Sequence, residues 1–178
     1  MWAKAANAIG FQLVWICCVA GAARGAYWLG PMAAGLFAAA TLSFGGKTRE
    51  DATALILTLP FGIALDSAFS ATGWLRYAGN SEAGLAPIWI GALWLAFAFS
   101  LNHSLGFLRE RLALAALLGL LCAPLSYVAA ERLGAVEFAG PRSATFVLLA
   151  ASWASLLPLL FGLLRYASST PRRNGHPA

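Results

Sequence analysis

The chain has 178 residues, of which 60% are hydrophobic and 11% charged. A soluble domain carries about 25% charged residues, and a surface this poor in charge cannot stay wetted, so a soluble globular domain is excluded. The net charge of +5 does not indicate nucleic acid, because the basic residues sit singly or in short clusters between apolar runs rather than on one face. A mean hydropathy of +0.73 points instead to lipid as the solvent.

A membrane-crossing helix needs about 20 predominantly apolar residues. Six segments qualify in chain order: residues 5–23, 26–44, 52–75, 87–108, 112–136 and 144–166. The predicted fold is an all-α integral membrane protein, a compact bundle of about six transmembrane helices forming one domain over residues 1–166. A polar tail, 167–178, is expected to be disordered. The first segment has the Lys4 start of a signal peptide, but its apolar run is long and broken by Gln12 and Trp15, so it is expected to stay as a helix.

Orientation follows from the basic residues between segments. Lys4, Lys47, Arg49, Arg109, Arg111, Arg165, Arg172 and Arg173 fall on one side, and Arg24, Arg76, Arg132 and Arg142 on the other. The positive-inside rule then places both termini in the cytoplasm.

Polar residues within such segments are the default functional candidates. Asp66 is the sharpest, because an Asp near a helix centre costs about 2.5–3.5 kcal/mol to insert. Gly62, Ser70 and Gly73 are expected to share its face and to let a neighbouring helix approach. Tyr127, after the helix-breaking Pro124, is expected at a similar depth, and a Tyr127–Asp66 hydrogen bond is predicted. Glu131 is expected to pair with Arg132, Arg24 or Arg76. A second cluster, Asn102, His103 and Ser104, lies toward the cytoplasmic end of the fourth segment, where Asn7 and Gln12 are expected to join it in one polar layer. Contact between His103 and Asp66 would require a break at Pro60.

Trp2, Trp28, Trp74 and Trp89 fall near segment ends, as interfacial anchors do. Trp15, Trp94 and Trp153 lie deeper, where they either line a lipid-tail cavity or fill the core. Cys17, Cys18, Cys122, His103 and His176 have no metal-binding spacing, and no nucleotide-binding or hydrolase motif is present, so no metal and no cofactor is expected.

Several patterns together carry a resemblance. Asn7-x3-Phe11-Gln12-x2-Trp15 opens the chain, and Gly62-x3-Asp66 follows. Pro87-x-Trp89-x3-Leu93-Trp94-x2-Phe97-Ala98-x2-Leu101-Asn102-His103-Ser104-Leu105 is the most specific stretch. Pro124-Leu125-Ser126-Tyr127 and Leu133-Gly134-Ala135 complete it. From about residue 7 to 165 the chain resembles the bacterial membrane protein family labelled domain of unknown function 2878. The resemblance implies a small inner-membrane protein with no assigned activity, and an association with fatty-acid modification that favours lipid chemistry. It assigns no role to any residue.

Three functions are therefore carried forward. The first is lipid or fatty-acid handling, with Asp66, Tyr127 and His103 as candidate catalytic residues, and Asn7, Gln12, Trp15, Trp94, Asn102 and Ser104 as candidate substrate-binding residues. It predicts a cavity open sideways to lipid. The second is a small-solute or proton-coupled transporter. The third is a structural or assembly subunit, with Asp66 satisfied by its neighbours. The expected partners are membrane lipids and either a membrane-protein partner or a second copy of the chain. Whether the chain is an enzyme stays open.

Overall fold

Apolar runs and glycine stops divide the described residues into six α-helices and one small two-stranded ribbon. The structure is a computed structural model that describes residues 2–79 and 84–169. The helices are α1 (Trp2–Ala23), α2 (Leu29–Gly45), α3 (Thr48–Ala71), α4 (Ile88–Leu101), α5 (Leu112–Arg132) and α6 (Arg142–Ser169). Four of them, α1, α3, α5 and α6, are long and apolar enough to cross a membrane. The other two, α2 and α4, are shorter.

Helix α4 is apolar all round, and ten of its fourteen residues are buried. A helix of that kind belongs in a core, and α4 packs against α1, α2 and α3. Its chain leaves the helix at Leu101 through turns and a short 3-10 helix at Gly106–Leu108. The predicted helix over 87–108 is thus a shorter helix with an irregular end. Helix α5 lies along α6, and Gly119 makes this possible: a Cβ there would come within 2.3 Å of the Trp153 carbonyl oxygen.

Helices α3 and α5 end earlier than hydropathy predicts, for one reason. Gly73 and Gly134 adopt positive φ, of 73° and 86°. In each case the glycine N–H reaches back three residues, to Ser70 or Glu131, and the next N–H reaches back five, to Phe69 or Ala130. This double closure satisfies terminal carbonyls and stops the helix. The residues that follow pair as antiparallel strands, β1 (Leu75–Tyr77) with β2 (Val136–Phe138), in the register Leu75↔Phe138, Arg76↔Glu137, Tyr77↔Val136. The two-residue period turns Leu75 and Tyr77 inward and Arg76 outward.

Further differences from expectation are local. Pro60 lies inside a continuous α3, so no break brings His103 to Asp66. Helix α6 reaches Ser169, three residues into the predicted tail, and the rest of that tail lies outside the described residues. Trp89 is not an interfacial anchor. It is 1% exposed, and its indole donates to the Ala78 carbonyl at 2.9 Å. Trp2 and Trp28 do lie exposed.

Candidate functional site

The buried face of α3 carries Asp51, Ala54, Thr58, Gly62, Asp66 and Phe69. These recur every three or four residues, as one face of a helix requires. The stripe holds a carboxylate near each end, and each carboxylate organises a separate centre.

At the ribbon end, Asp66 is 1% exposed and accepts three hydrogen bonds. Tyr77 and Tyr127 donate their hydroxyls to Oδ1 at 2.5 and 2.6 Å, and the Trp94 indole donates to Oδ2 at 2.6 Å. Each donor arrives on a different element: β1, α5 and α4. The ribbon register delivers Tyr77, and α4 comes close because Gly62 leaves room. A Cβ at Gly62 would sit 1.9 Å from the Trp94 ring. Burial first, and then the neighbouring Tyr127 and Asp66, push the Tyr77 phenol well above the ordinary tyrosine range, so it stays a protonated donor.

The Tyr127–Asp66 bond expected from the sequence is therefore present. The expected small-residue stripe is present only in part: Gly62 serves it, whereas Gly73 lies beyond the helix in the turn. The depth estimate also shifts. Because α3 starts at Thr48, Asp66 lies about 27 Å along it, near its far end rather than its middle. Among the described residues, no arginine reaches Asp66. Arg76 pairs with Glu137 at 3.1 Å, Arg24 bonds the Ala20 carbonyl, and Glu131 pairs with Arg142 at 2.7 Å instead of with the expected partners.

Beside Asp66 lies a cavity of about 100 Å³, walled chiefly by Trp15, Trp89, Trp94, Phe97, Tyr127 and Trp153. Trp94 and Trp153 stack with centroids 4.9 Å apart and planes within 8°. Phe97 meets both edge-on. Trp15 is held by its indole N–H to Ser126 Oγ at 2.9 Å. A larger groove of about 580 Å³ shares Trp15, Phe97, Ser126, Tyr127 and Trp153 with this chamber. It runs past Cys122 and Leu125, both exposed on α5, and past Gln12 on α1. The groove thus opens laterally between α1 and α5.

At the other end, Asp51 is fully buried and accepts from the Asn102 amide at 3.0 Å. His103 Nε2 lies 2.9 Å from its Oδ2. Asn7 accepts from the Ser104 hydroxyl at 2.7 Å and donates to the Phe99 carbonyl at 3.3 Å. Lys47 donates to the Asn102 carbonyl at 2.6 Å. Asn7 and Lys47 thereby satisfy carbonyls that the end of α4 leaves without helical partners. Arg109 donates to Asn102 Oδ1 at 2.5 Å.

The structure thus brings together Asp66, Tyr127, Trp94 and Trp15 at one centre, and Asn7, Asn102, His103 and Ser104 at the other. Gln12 joins neither polar cluster. It is exposed, because five residues of helix turn it about 140° from Asn7. Asp51 and Tyr77 were missed. Asp51 precedes the predicted start of its helix, although its spacing to Ala54, Thr58, Gly62 and Asp66 continues the stripe. Tyr77 follows the glycine stop at Gly73, which was the available signal. Among the described residues, no group of three or more His, Cys, Asp or Glu could hold a metal ion.

These features define the class: an all-helical protein with helices suited to crossing a membrane and two buried polar centres. The chain belongs to the family described as Protein of unknown function (DUF2878), whose sequence model matches residues 4–159. No curated protein and no solved structure matches the chain.

Proposed function

We propose that this is a bacterial inner-membrane protein with six embedded helices and cytoplasmic termini, and that it handles membrane lipid by admitting an acyl chain sideways into the chamber beside Asp66. The observation that carries this reading is the continuity between the lateral α1–α5 groove and the aromatic chamber, through Trp15, Ser126 and Tyr127. Apolar walls with a few fixed polar groups suit an aliphatic ligand. Asp66 and Tyr127 are the polar groups that such a chain meets at the closed end. The uneven distribution of basic residues supports the orientation. The short α4 does not oppose embedding, since its neighbours enclose it.

The solute-carrier reading has less support, because Asp66 is buried among aromatic rings rather than on a polar path. A purely structural role is favoured by one observation, the complete satisfaction of Asp66 by three donors.

The two surviving readings separate in a strain lacking the chromosomal copy, with membrane lipids analysed by mass spectrometry. Lipid handling predicts an altered acyl-chain profile that the wild-type protein restores. Asp66→Asn, at matched membrane levels, does not restore it. A profile unchanged by the deletion contradicts lipid handling and leaves the structural role.

A further inference from the structure

The Asp51 end of the bundle carries a second, oppositely built feature. A pocket of about 260 Å³ is lined by Lys4, Lys47, His103 and Arg109, with Glu50 as its one acidic wall. The buried carboxylate at this end, Asp51, does not line the pocket and is already engaged by His103 and Asn102. The hydrogen bonds that Lys47 and Arg109 make go to neutral oxygens, the carbonyl and the side chain of Asn102. Among the described residues, neither they nor Lys4 has a carboxylate within ion-pair distance. An ammonium has three donors and a guanidinium five, so each retains donors after the single bond it makes. Three cations at a pocket with one acidic wall, two of them fixed by a hydrogen bond, suit an anion.

A separate apolar groove of about 440 Å³ starts at the same place. It runs between α1 and α2, bounded by Ala6, Gly10, Leu13, Leu36, Phe37 and Ala40, and His103 forms part of its wall as well. Along α1 its lining extends from Ala3 to Cys17, about 21 Å at the helical rise. One leaflet of a bilayer has a hydrocarbon depth of about 15 Å. The groove, starting from the cationic pocket, is therefore long enough to match the hydrocarbon depth of one leaflet.

We infer that this end of the protein is a binding site for an anionic phospholipid, its phosphate in the Lys4–Lys47–Arg109 pocket and one acyl chain along the α1–α2 groove. Charge complementarity selects the headgroup, and the continuity at His103 selects a lipid over a free anion. The site is independent of the Asp66 chamber, lies at the opposite end of α3, and does not rest on the function proposed above.

Native mass spectrometry of the full chain, released from nanodiscs containing equal phosphatidylglycerol and phosphatidylcholine, tests it. The wild type is expected to retain phosphatidylglycerol about tenfold over phosphatidylcholine. Lys4→Gln with Lys47→Gln is expected to bring the ratio near one. Ala40→Trp fills the groove from an exposed position and leaves every cation in place, and it is expected to remove the bound lipid. Lys4 and Ala40 are both exposed, so Lys4→Gln alone and Ala40→Trp should keep the wild-type melting temperature, and Lys4→Gln alone is expected to lower the ratio several-fold. Equal retention of the two lipids by the wild type would overturn the proposal. So would full retention in Ala40→Trp, or displacement of phosphatidylglycerol by millimolar inorganic phosphate, which would make the site a receptor for a free anion.

Discussion

Asp51 and Asp66 lie on the same buried face of α3, fifteen residues and about 22 Å apart; Asp66 is held by hydrogen bonds from three other elements, and Asp51 by two adjacent residues in the turn that follows α4. Two carboxylates on one apolar helix cannot be left bare. They fasten α3 at both ends to the chain around α4, at Trp94 for Asp66 and at Asn102 and His103 for Asp51.

Tyr77 and Tyr127 share one oxygen of Asp66, so removing either hydroxyl leaves the other donor in place. Tyr77→Phe or Tyr127→Phe should each destabilise the protein by about 1–3 kcal/mol, the usual cost of taking one hydrogen-bond partner from a buried polar group. Because the two meet at a single atom, the double variant should depart from additivity by at least 0.5 kcal/mol, on the scale of about 0.5–3 kcal/mol for contacting residues. Thermal or denaturant unfolding in a fixed detergent measures both effects, and strict additivity would mean that the shared contact is absent.

Gly62 is where α4 approaches α3. The added methyl of Gly62→Ala would overlap the Trp94 ring, so the indole must leave Asp66 or the helices must part. A loss of about 1–3 kcal/mol is expected from overpacking. Trp94 emission should shift as its N–H bond is lost, in a variant where Trp94 is the single tryptophan of the chamber. Unchanged stability and emission would show that α4 lies farther from α3.

Asp51 serves as acceptor to two buried groups. Asp51→Ala should cost about 3–5 kcal/mol, as removal of one partner from a buried polar pair does. His103→Ala should cost less, since Asn102 still engages the carboxylate. A double-mutant cycle between the two is expected to give a coupling of at least 0.5 kcal/mol, and a coupling of zero would contradict the contact.

Thr58 lies between the two centres, and its buried hydroxyl has no hydrogen-bond partner among the described residues. Thr58→Val keeps the shape and removes the unsatisfied group. Stability should be unchanged or higher by up to about 1–3 kcal/mol, the cost of a buried donor left alone. A lower melting temperature would reveal a partner for the hydroxyl.

Much of this arrangement was legible from residue type and spacing. Apolar runs locate all six helices, and the pairing of Asp66 with Tyr127 follows from matching depths on two segments. The errors share a physical origin. Hydropathy does not register a helix stop made by one glycine, so Gly73 and Gly134 were read through, the ribbon was lost, and Tyr77 with it. Asp51 falls just outside the predicted 52–75 segment, because a charge ends an apolar run, whereas here it is buried against the chain that follows α4. Trp89 looked like an anchor by position, but α4 is enclosed, so its ends do not face the interface. Contacts set by such tertiary enclosure have no local signature.

The central claim is that an acyl chain reaches the aromatic chamber through the α1–α5 groove. Photo-crosslinking tests it most directly, with protein reconstituted into vesicles containing a phospholipid that bears a diazirine at one acyl terminus, and adducts mapped by peptide mass spectrometry. The account predicts adducts concentrated on Trp15, Ser126 and Tyr127 and competed away by excess unlabelled lipid. Adducts confined to outward-facing residues such as Ile56 and Val147, with none in the chamber, would contradict it.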